Sequence, residues 1–330
     1  MQQAAPQPGV GEVLVTVHSC GICGSDVHMA EAGKGQPGGI PGHEFSGTLS
    51  ALGQDVVGWQ VGQPVAVNPL AGCGECEFCA RDTLILCPNR PNLGLNVPGG
   101  FAEQVVAHQT QLFALPASMQ IEIGSRVEPL AVAVRAVAEA QPAPGDNALV
   151  LGVGPIGLCV ILALRAAGAG TIVAVGRSSA GRRAAARVMG ADVVLDSRDV
   201  QPAEYVREKT LSISQAYECS ADPRGLDMCL ESVKPCGTIV GLALGNQPSS
   251  LNTHRFVARG LRLLSGCAYG SADFARALDL IASGKVDVVP LISERIPLER
   301  APDMLVRLRQ PGDLVSVLVQ PWRTAAQSEV

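Results

Sequence analysis

The sequence predicts an α/β chain in two parts: a doubly wound parallel sheet with helices, and a mainly β domain with a cysteine-rich lobe. Three observations carry this. Four cysteines, Cys73, Cys76, Cys79 and Cys87, stand in the run GCGECEFCARDTLILC. The segment LVLGVGPIG joins a strand-like run to a helix-like one. From residue 147, short apolar runs alternate with helical patterns, as βαβ units around a parallel sheet do.

Bulk composition narrows the classes. The chain has 330 residues, enough for two domains with cores of their own. It is 47% hydrophobic and 17% charged, which suits a globular protein. A net charge of −5 provides no basic face for nucleic acid. The start MQQAAPQPG does not read as a secretory signal. The most apolar stretch, residues 148–164, is broken by three glycines and a proline, so no membrane span is expected. Eleven cysteines without a secretory signal point to the reducing cytoplasm and to metal-bound or free thiols.

Taken in order, residues 11–21 (GEVLVTVHSCG) alternate apolar and polar and break at glycine, as a half-buried strand does. HEFSGTLSALG and QPVAVNPL are further β segments bounded by Gly and Pro. In the lobe at 73–87, two C-x-x-C steps gather three sulfurs, and Cys87 closes a tetrahedron. That is a closed, structural zinc site with no position left for substrate. A pair of disulfides is the alternative, and it suits neither the spacing nor the compartment. PLAVAVRAVAEA, at 129–140, reads as an Ala-rich helix entering a new domain. ALVLGVG, TIVAVG, DVVLD, QAYECS, GTIVGLA and LRLLSG then read as strands with helices between them. SADFARALDLIASGKV returns to helix and LVSVLVQ to strand. The change of pattern at Glu128 marks the entry into a second domain.

LVLGVGPIG supplies Gly152, Gly154 and Gly157 in G-x-G-x-x-G order, with Pro155 and Ile156 in the same turn. Between a strand and a helix, this is a dinucleotide fingerprint. The first glycine permits the turn, the second admits the pyrophosphate, and the third lets helix and strand pack. NAD sites of this type place an acid at the end of the next strand to receive the ribose 2′-OH. Here that strand ends in Gly176, Arg177 and Ser178, with Arg182 and Arg183 following. Loss of the carboxylate removes repulsion of a 2′-phosphate, and Arg177 offers it a charge-assisted partner, so NADP is expected over NAD.

A second metal constellation is spread over three motifs. GICGSDVH carries Cys23, Ser25, Asp26 and His28, GHEFSG carries His43 and Glu44, and EPLAVAV carries Glu128. With these motifs, the lobe and the fingerprint, the chain resembles the zinc-containing medium-chain dehydrogenases/reductases over nearly its full length. The likeness is nearest to the polyol and 2,3-butanediol dehydrogenase branch. The resemblance implies a GroES-like catalytic domain at 1–130, with the zinc lobe at 73–87 inside it, a Rossmann dinucleotide-binding domain at 131–270, a return to the catalytic domain at 271–330, and two zincs, one catalytic and one structural. It makes Cys23 and His43 zinc ligands, with Glu44 ligating directly or in exchange with water. Glu128 stands where alcohol dehydrogenases of the family have a third-ligand cysteine, so carboxylate ligation there, direct or through water, looks like the polyol type. Asp26 would orient His43, Ser25 would bond the substrate oxygen, and His28 would pass the proton outward. Implied too are a small alcohol or ketone substrate and a homodimer or homotetramer.

Three departures from the family pattern stand out. Relatives carry about a strand pair more at the N-terminus, so an open sheet edge is expected there. Arg135 and Ser316 occupy positions where relatives often have His and Lys or Arg respectively. The implied activity is hydride transfer between a secondary alcohol, such as a diol, sugar alcohol or cyclitol, and NADP or NAD. A biosynthetic carbonyl reductase would use the same residues. A non-catalytic zinc- and NADP-binding redox sensor would have no use for Ser25 and His28.

Overall fold

The computed structural model describes residues 4–33, 39–177, 179–245, 247–266, 268–310 and 312–323. The early chain forms strands β1 (Glu12–Gly21), β2 (Glu44–Leu52), β3 (Pro64–Val67), β4 (Gln104–His108) and β5 (Leu112–Ala114). Helix α1 (Gly24–Ala32) lies between β1 and β2, and the short α2 (Glu77–Ala80) lies in the cysteine lobe. Helix α3 (Val127–Ala140) leads to β6 (Asn147–Leu151), α4 (Pro155–Ala166), β7 (Ile172–Gly176), α5 (Ala180–Val188) and β8 (Val193–Asp196). Next come α6 (Pro202–Glu208), β9 (Ile213–Glu218), α7 (Gly225–Ser232), β10 (Val233–Gly241), α8 (Thr253–Ala258) and β11 (Arg262–Ser265). The last elements are α9 (Ser271–Ala282), β12 (Ile292–Ile296), α10 (Ala301–Arg307) and β13 (Ser316–Val319).

Two sheets result. The seven-stranded one runs β12-β13-β1-β2-β3-β5, with β4 also paired to β1. The six-stranded one runs β11-β10-β9-β6-β7-β8, and all its pairs are parallel. Read from β8, that is the 3-2-1-4-5-6 order of a doubly wound fold, whose ligand crevice opens where the order reverses, here between β6 and β9. Helix α4 is buried from Gly157 through Leu164, which explains its nearly continuous apolar sequence. Alanines at 131, 133, 136 and 140 of α3 join the same core as α4 and let the two helices approach closely.

The open edge expected near the N-terminus is not at β1, which pairs with β2 on one side and with β4 and β13 on the other. Strand β12, ISERI, gave no clear signal in sequence, because it lies at the sheet edge and carries Ser, Glu and Arg among its five residues. Among the described residues, no helix is long and apolar enough to cross a membrane.

Candidate active site

The β1–β2 register builds the first metal-binding group. Gly21 pairs with Glu44, so the turn after β1 lies beside the residues that open β2. That turn carries Cys23, the N-cap of α1. Ligand atoms of Cys23, His43 and Glu44 all lie within 4.8 Å of one another. Asp26 braces the group from below. Its Oδ2 accepts from Cys23 N at 2.9 Å, and its Oδ1 faces His43 Nδ1 at 3.6 Å. Both of those facing atoms are buried without a hydrogen bond. With Nδ1 toward Asp26, Nε2 is the nitrogen left for the cluster.

Burial pushes the Cys23 thiol up. Burial works against charge on His43, but Cys23 and Asp26 outweigh it and its pKa stands well above the usual value. The cluster thus gathers acidic groups in a dry place and favours a cation among them. A thiolate, an imidazole and a carboxylate form the donor set of an open zinc site, so the residues fit that metal.

Glu44 has a competing partner. Its Oε2 meets Arg126 Nη2 at 2.7 Å. Arg126 also donates to Ser316 Oγ at 2.5 Å and to Ser125 Oγ at 3.3 Å. A Cβ on Gly21 would fall 1.6 Å from Arg126 Nη2, so only glycine fits there.

Glu128, in the first turn of α3, lies outside the three-residue cluster. Its Oε1 accepts from the Tyr269 hydroxyl at 2.8 Å. Burial first, and the Glu44 charge after it, raise its pKa to about 7. Burial and the Glu128 charge push the Tyr269 phenol well up, so Tyr269 stays a donor. Ser25 and His28 sit one helical turn apart on α1. Ser25 is half-buried, and His28 is exposed with Nδ1 3.6 Å from Glu31.

The cysteine lobe brings Cys73, Cys76, Cys79 and Cys87 together. Sγ of Cys76 and Cys79 are 3.5 Å apart, and those of Cys73 and Cys79 are 3.9 Å apart. A tetrahedron with zinc–sulfur bonds of about 2.3 Å has an edge of about 3.8 Å, whereas a disulfide is about 2.05 Å long. All four thiols are free, and the spacing fits zinc. The backbone N–H of Cys73 lowers the Cys87 thiol to about 7.

At the glycine turn, Gly152 has φ +100°. A Cβ on Gly157 would stand 1.9 Å from the Gly152 carbonyl oxygen, while Gly154 faces open space except for Arg182 Nη1 at 4.0 Å. Pro155 opens α4 at its first position, and Ile156 follows it. Gly176 ends β7. The Arg177 side chain is 70% exposed, with Asp222 3.9 Å away, while Ser178 lies outside the described residues. Arg182 donates through Nε to Leu314 O at 2.8 Å, so it lies over the glycine turn and toward the last strand. Arg183 is taken up by Asp196 at 3.1 Å. Asp313 accepts from Ser179 Oγ at 2.6 Å and from Gly181 N at 2.8 Å, which ties the approach to β13 to the start of α5.

Sequence reasoning did not single out Arg126, Tyr269, Asp82 or Asp313. The one usable signal was Arg126, a charge just before the apolar run PLAVAV.

Comparison with known proteins agrees with this geometry. Residues 9–117 match the alcohol dehydrogenase GroES-like domain, and residues 155–283 match the zinc-binding dehydrogenase family. The chain is 34% identical to 2-dehydro-3-deoxy-L-galactonate 5-dehydrogenase of Pseudoalteromonas atlantica, over 88% of this chain and 86% of that one. It is 30% identical to sorbitol dehydrogenase of Bacillus subtilis, over 97% and 94%. Among solved structures, a putative zinc-binding dehydrogenase from Sinorhizobium meliloti bound to NADP superposes with a TM-score of 0.89 at 30% identity, covering 96% of this chain and 94% of that one. Fold, donor sets and relatives place the chain in the zinc-containing medium-chain dehydrogenase/reductase family, on its polyol dehydrogenase branch.

Proposed function

We propose that the protein catalyses reversible oxidation of a secondary alcohol, a diol, sugar alcohol or cyclitol, with NADP preferred over NAD. The observation that carries this is the convergence of Cys23, His43 and Glu44, braced by Asp26, beside Glu128. A zinc ion held there would polarise the substrate oxygen and make an alcohol more acidic. The nicotinamide cofactor would accept or return the hydride.

The chain's own residues do the rest. Ser25 bonds the substrate oxygen and relays its proton, releasing its own hydroxyl proton as it accepts, and His28, exposed one turn along α1, passes a proton on towards solvent. Glu128 completes the donor set, directly or through a water. The lobe at Cys73, Cys76, Cys79 and Cys87 holds a second, structural zinc. Gly152, Gly154, Pro155, Ile156 and Gly157 cradle the pyrophosphate at the start of α4. Arg182, tied to Leu314 O, is the cation over that turn. Gly176, Arg177 and Ser178 receive the 2′-phosphate.

A homodimer or homotetramer belongs to the same reading, supported by edge strand β11 and its exposed Leu263. So does a cytoplasmic location, supported by the free cysteines among the described residues. The test is a panel of diols, polyols, cyclitols and their ketones assayed by NADPH and NADH absorbance. Turnover of a member that stops on chelation supports the reading. Undiminished turnover after complete zinc removal sinks it.

A further inference from the structure

The cysteine lobe reaches the metal-binding cluster through a short chain of contacts. Asp82, just after α2, turns its carboxylate onto the N-terminus of α9. Its Oδ1 accepts from Ser271 N at 2.8 Å and its Oδ2 from Ala272 N at 3.0 Å. The approach is tight: a Cβ on Gly270 would stand 2.1 Å from Asp82 Oδ2. Asp82 is itself fixed from the lobe side, because its N–H donates to Cys79 O at 3.1 Å and its φ is +52°. Tyr269 immediately precedes this anchored turn. The residue is 3% exposed, its ring lies 6.0 Å from that of Phe274, and its hydroxyl donates to Glu128 Oε1 at 2.8 Å.

The geometry points to Tyr269 as a positioning residue for Glu128, with Asp82 as the latch by which the four-cysteine lobe fixes Tyr269. The lobe then sets the orientation of a carboxylate at the catalytic centre as well as its own fold. A buried carboxylate with one free oxygen rotates unless the other oxygen is held, and the group holding it governs its aim. This rests on the reading of Cys23, His43 and Glu44 as a metal centre. The bland alternative is that Asp82 merely caps a helix and Tyr269 merely satisfies a buried acid. Those roles would change stability and leave the centre untouched.

The experiment replaces the zinc of the open centre with cobalt, leaving the lobe's zinc in place, and reads the visible spectrum and cobalt affinity without substrate. Tyr269→Phe should shift the spectrum and weaken binding about 10- to 100-fold, as loss of an outer hydrogen bond to a metal site does. Asp82→Ala should shift it in the same direction, and Asp82→Asn, which keeps one acceptor, should restore most of the change. The double variant Asp82→Ala/Tyr269→Phe should match Tyr269→Phe alone, because the two act in series. A lower melting temperature with an unchanged cobalt spectrum in Asp82→Ala would overturn the latch, as would additive effects in the double variant. A wild-type protein that takes up no cobalt at that centre would instead remove the proposed function, and this inference with it.

Discussion

Arg126 and Glu44 form an ion pair of 2.7 Å in the interior, with 2% and 6% of their side chains exposed. Ser316, on the last strand, supplies Arg126 with another partner. Two charges taken from water at this depth hold each other in place more than they stabilise the fold. Removing one strands the other.

Arg126→Met is therefore expected to destabilise the protein by about 3–5 kcal/mol, and Arg126→Met/Glu44→Gln to recover much of that loss. Urea unfolding of the zinc-free protein measures both, because Glu44 also belongs to the metal-binding group. A neutral Arg126→Met would mean that Glu44 has a sufficient cation elsewhere.

The two metal-binding groups should divide stability from activity. Cys76→Ser breaks the closed set, so the lobe should loosen and the melting temperature fall. Cys23→Ser and His43→Ala should leave a folded, cofactor-binding protein without turnover. Two zincs per chain are expected, and a chelator should strip the Cys23–His43 zinc first, because an open site exchanges faster. If Cys76→Ser stops chemistry and spares stability, the roles are reversed.

Cofactor preference should answer to Arg177. One charge-assisted contact contributes about 1.5–3 kcal/mol, or roughly ten- to a hundredfold, so Arg177→Ala should erode an NADP preference of that size in kcat/KM. Gly176→Asp would restore the acid that binds a ribose diol, but the structure adds a cost. A Cβ at Gly176 would stand 2.6 Å from Val153 Cγ2 and 2.9 Å from Arg183 Cγ. The switch toward NAD should be cleaner in Gly176→Asp/Val153→Ala, which opens that space. A wild-type preference for NAD would mean that exposed Arg177 serves only solvent.

Glu128 should make the zinc-free protein sensitive to pH. Its folded pKa of about 7 is above the unfolded value, which is about 4.3. The folded state therefore holds the proton more tightly. The resulting stability is fully present below the unfolded value and is lost as pH rises through about 7. Zinc-free protein should melt at lower temperature at pH ~8 than at pH ~5, and Glu128→Gln should flatten that slope. A Glu128→Gln profile identical to wild type would assign the slope to His43 and Cys23 instead.

What could be read in the sequence was local. The C-x-x-C steps, the glycine turn and GICGSDVH each hold their meaning within a few residues. The antiparallel β1–β2 pair needed only its register to bring Cys23 to His43 and Glu44. What escaped was long-range. Asp82 meets Ser271 across 189 positions, Arg126 meets Ser316 across 190, and Tyr269 meets Glu128 across 141. No periodicity encodes such pairs, since each is fixed only by how separate elements dock. Arg182 shows the same limit. It follows the strand end that the 2′-phosphate reading singles out, yet its side chain points to the glycine turn and Leu314.

The position of β13 has a consequence for the order in which the chain folds. It lies between β1 and β12, so Cys20 and Gly21, at the end of β1, wait for a partner made only after the whole cofactor sheet. The cofactor sheet, complete by Ser265, has no such wait. A chain leaving the ribosome should close the cofactor sheet before the end of β1 gains its partner, which comes only when Ser316–Val319 emerges. A nascent chain halted before Ser316 should yield a protease-resistant cofactor unit while the end of β1, at Cys20 and Gly21, is still cut.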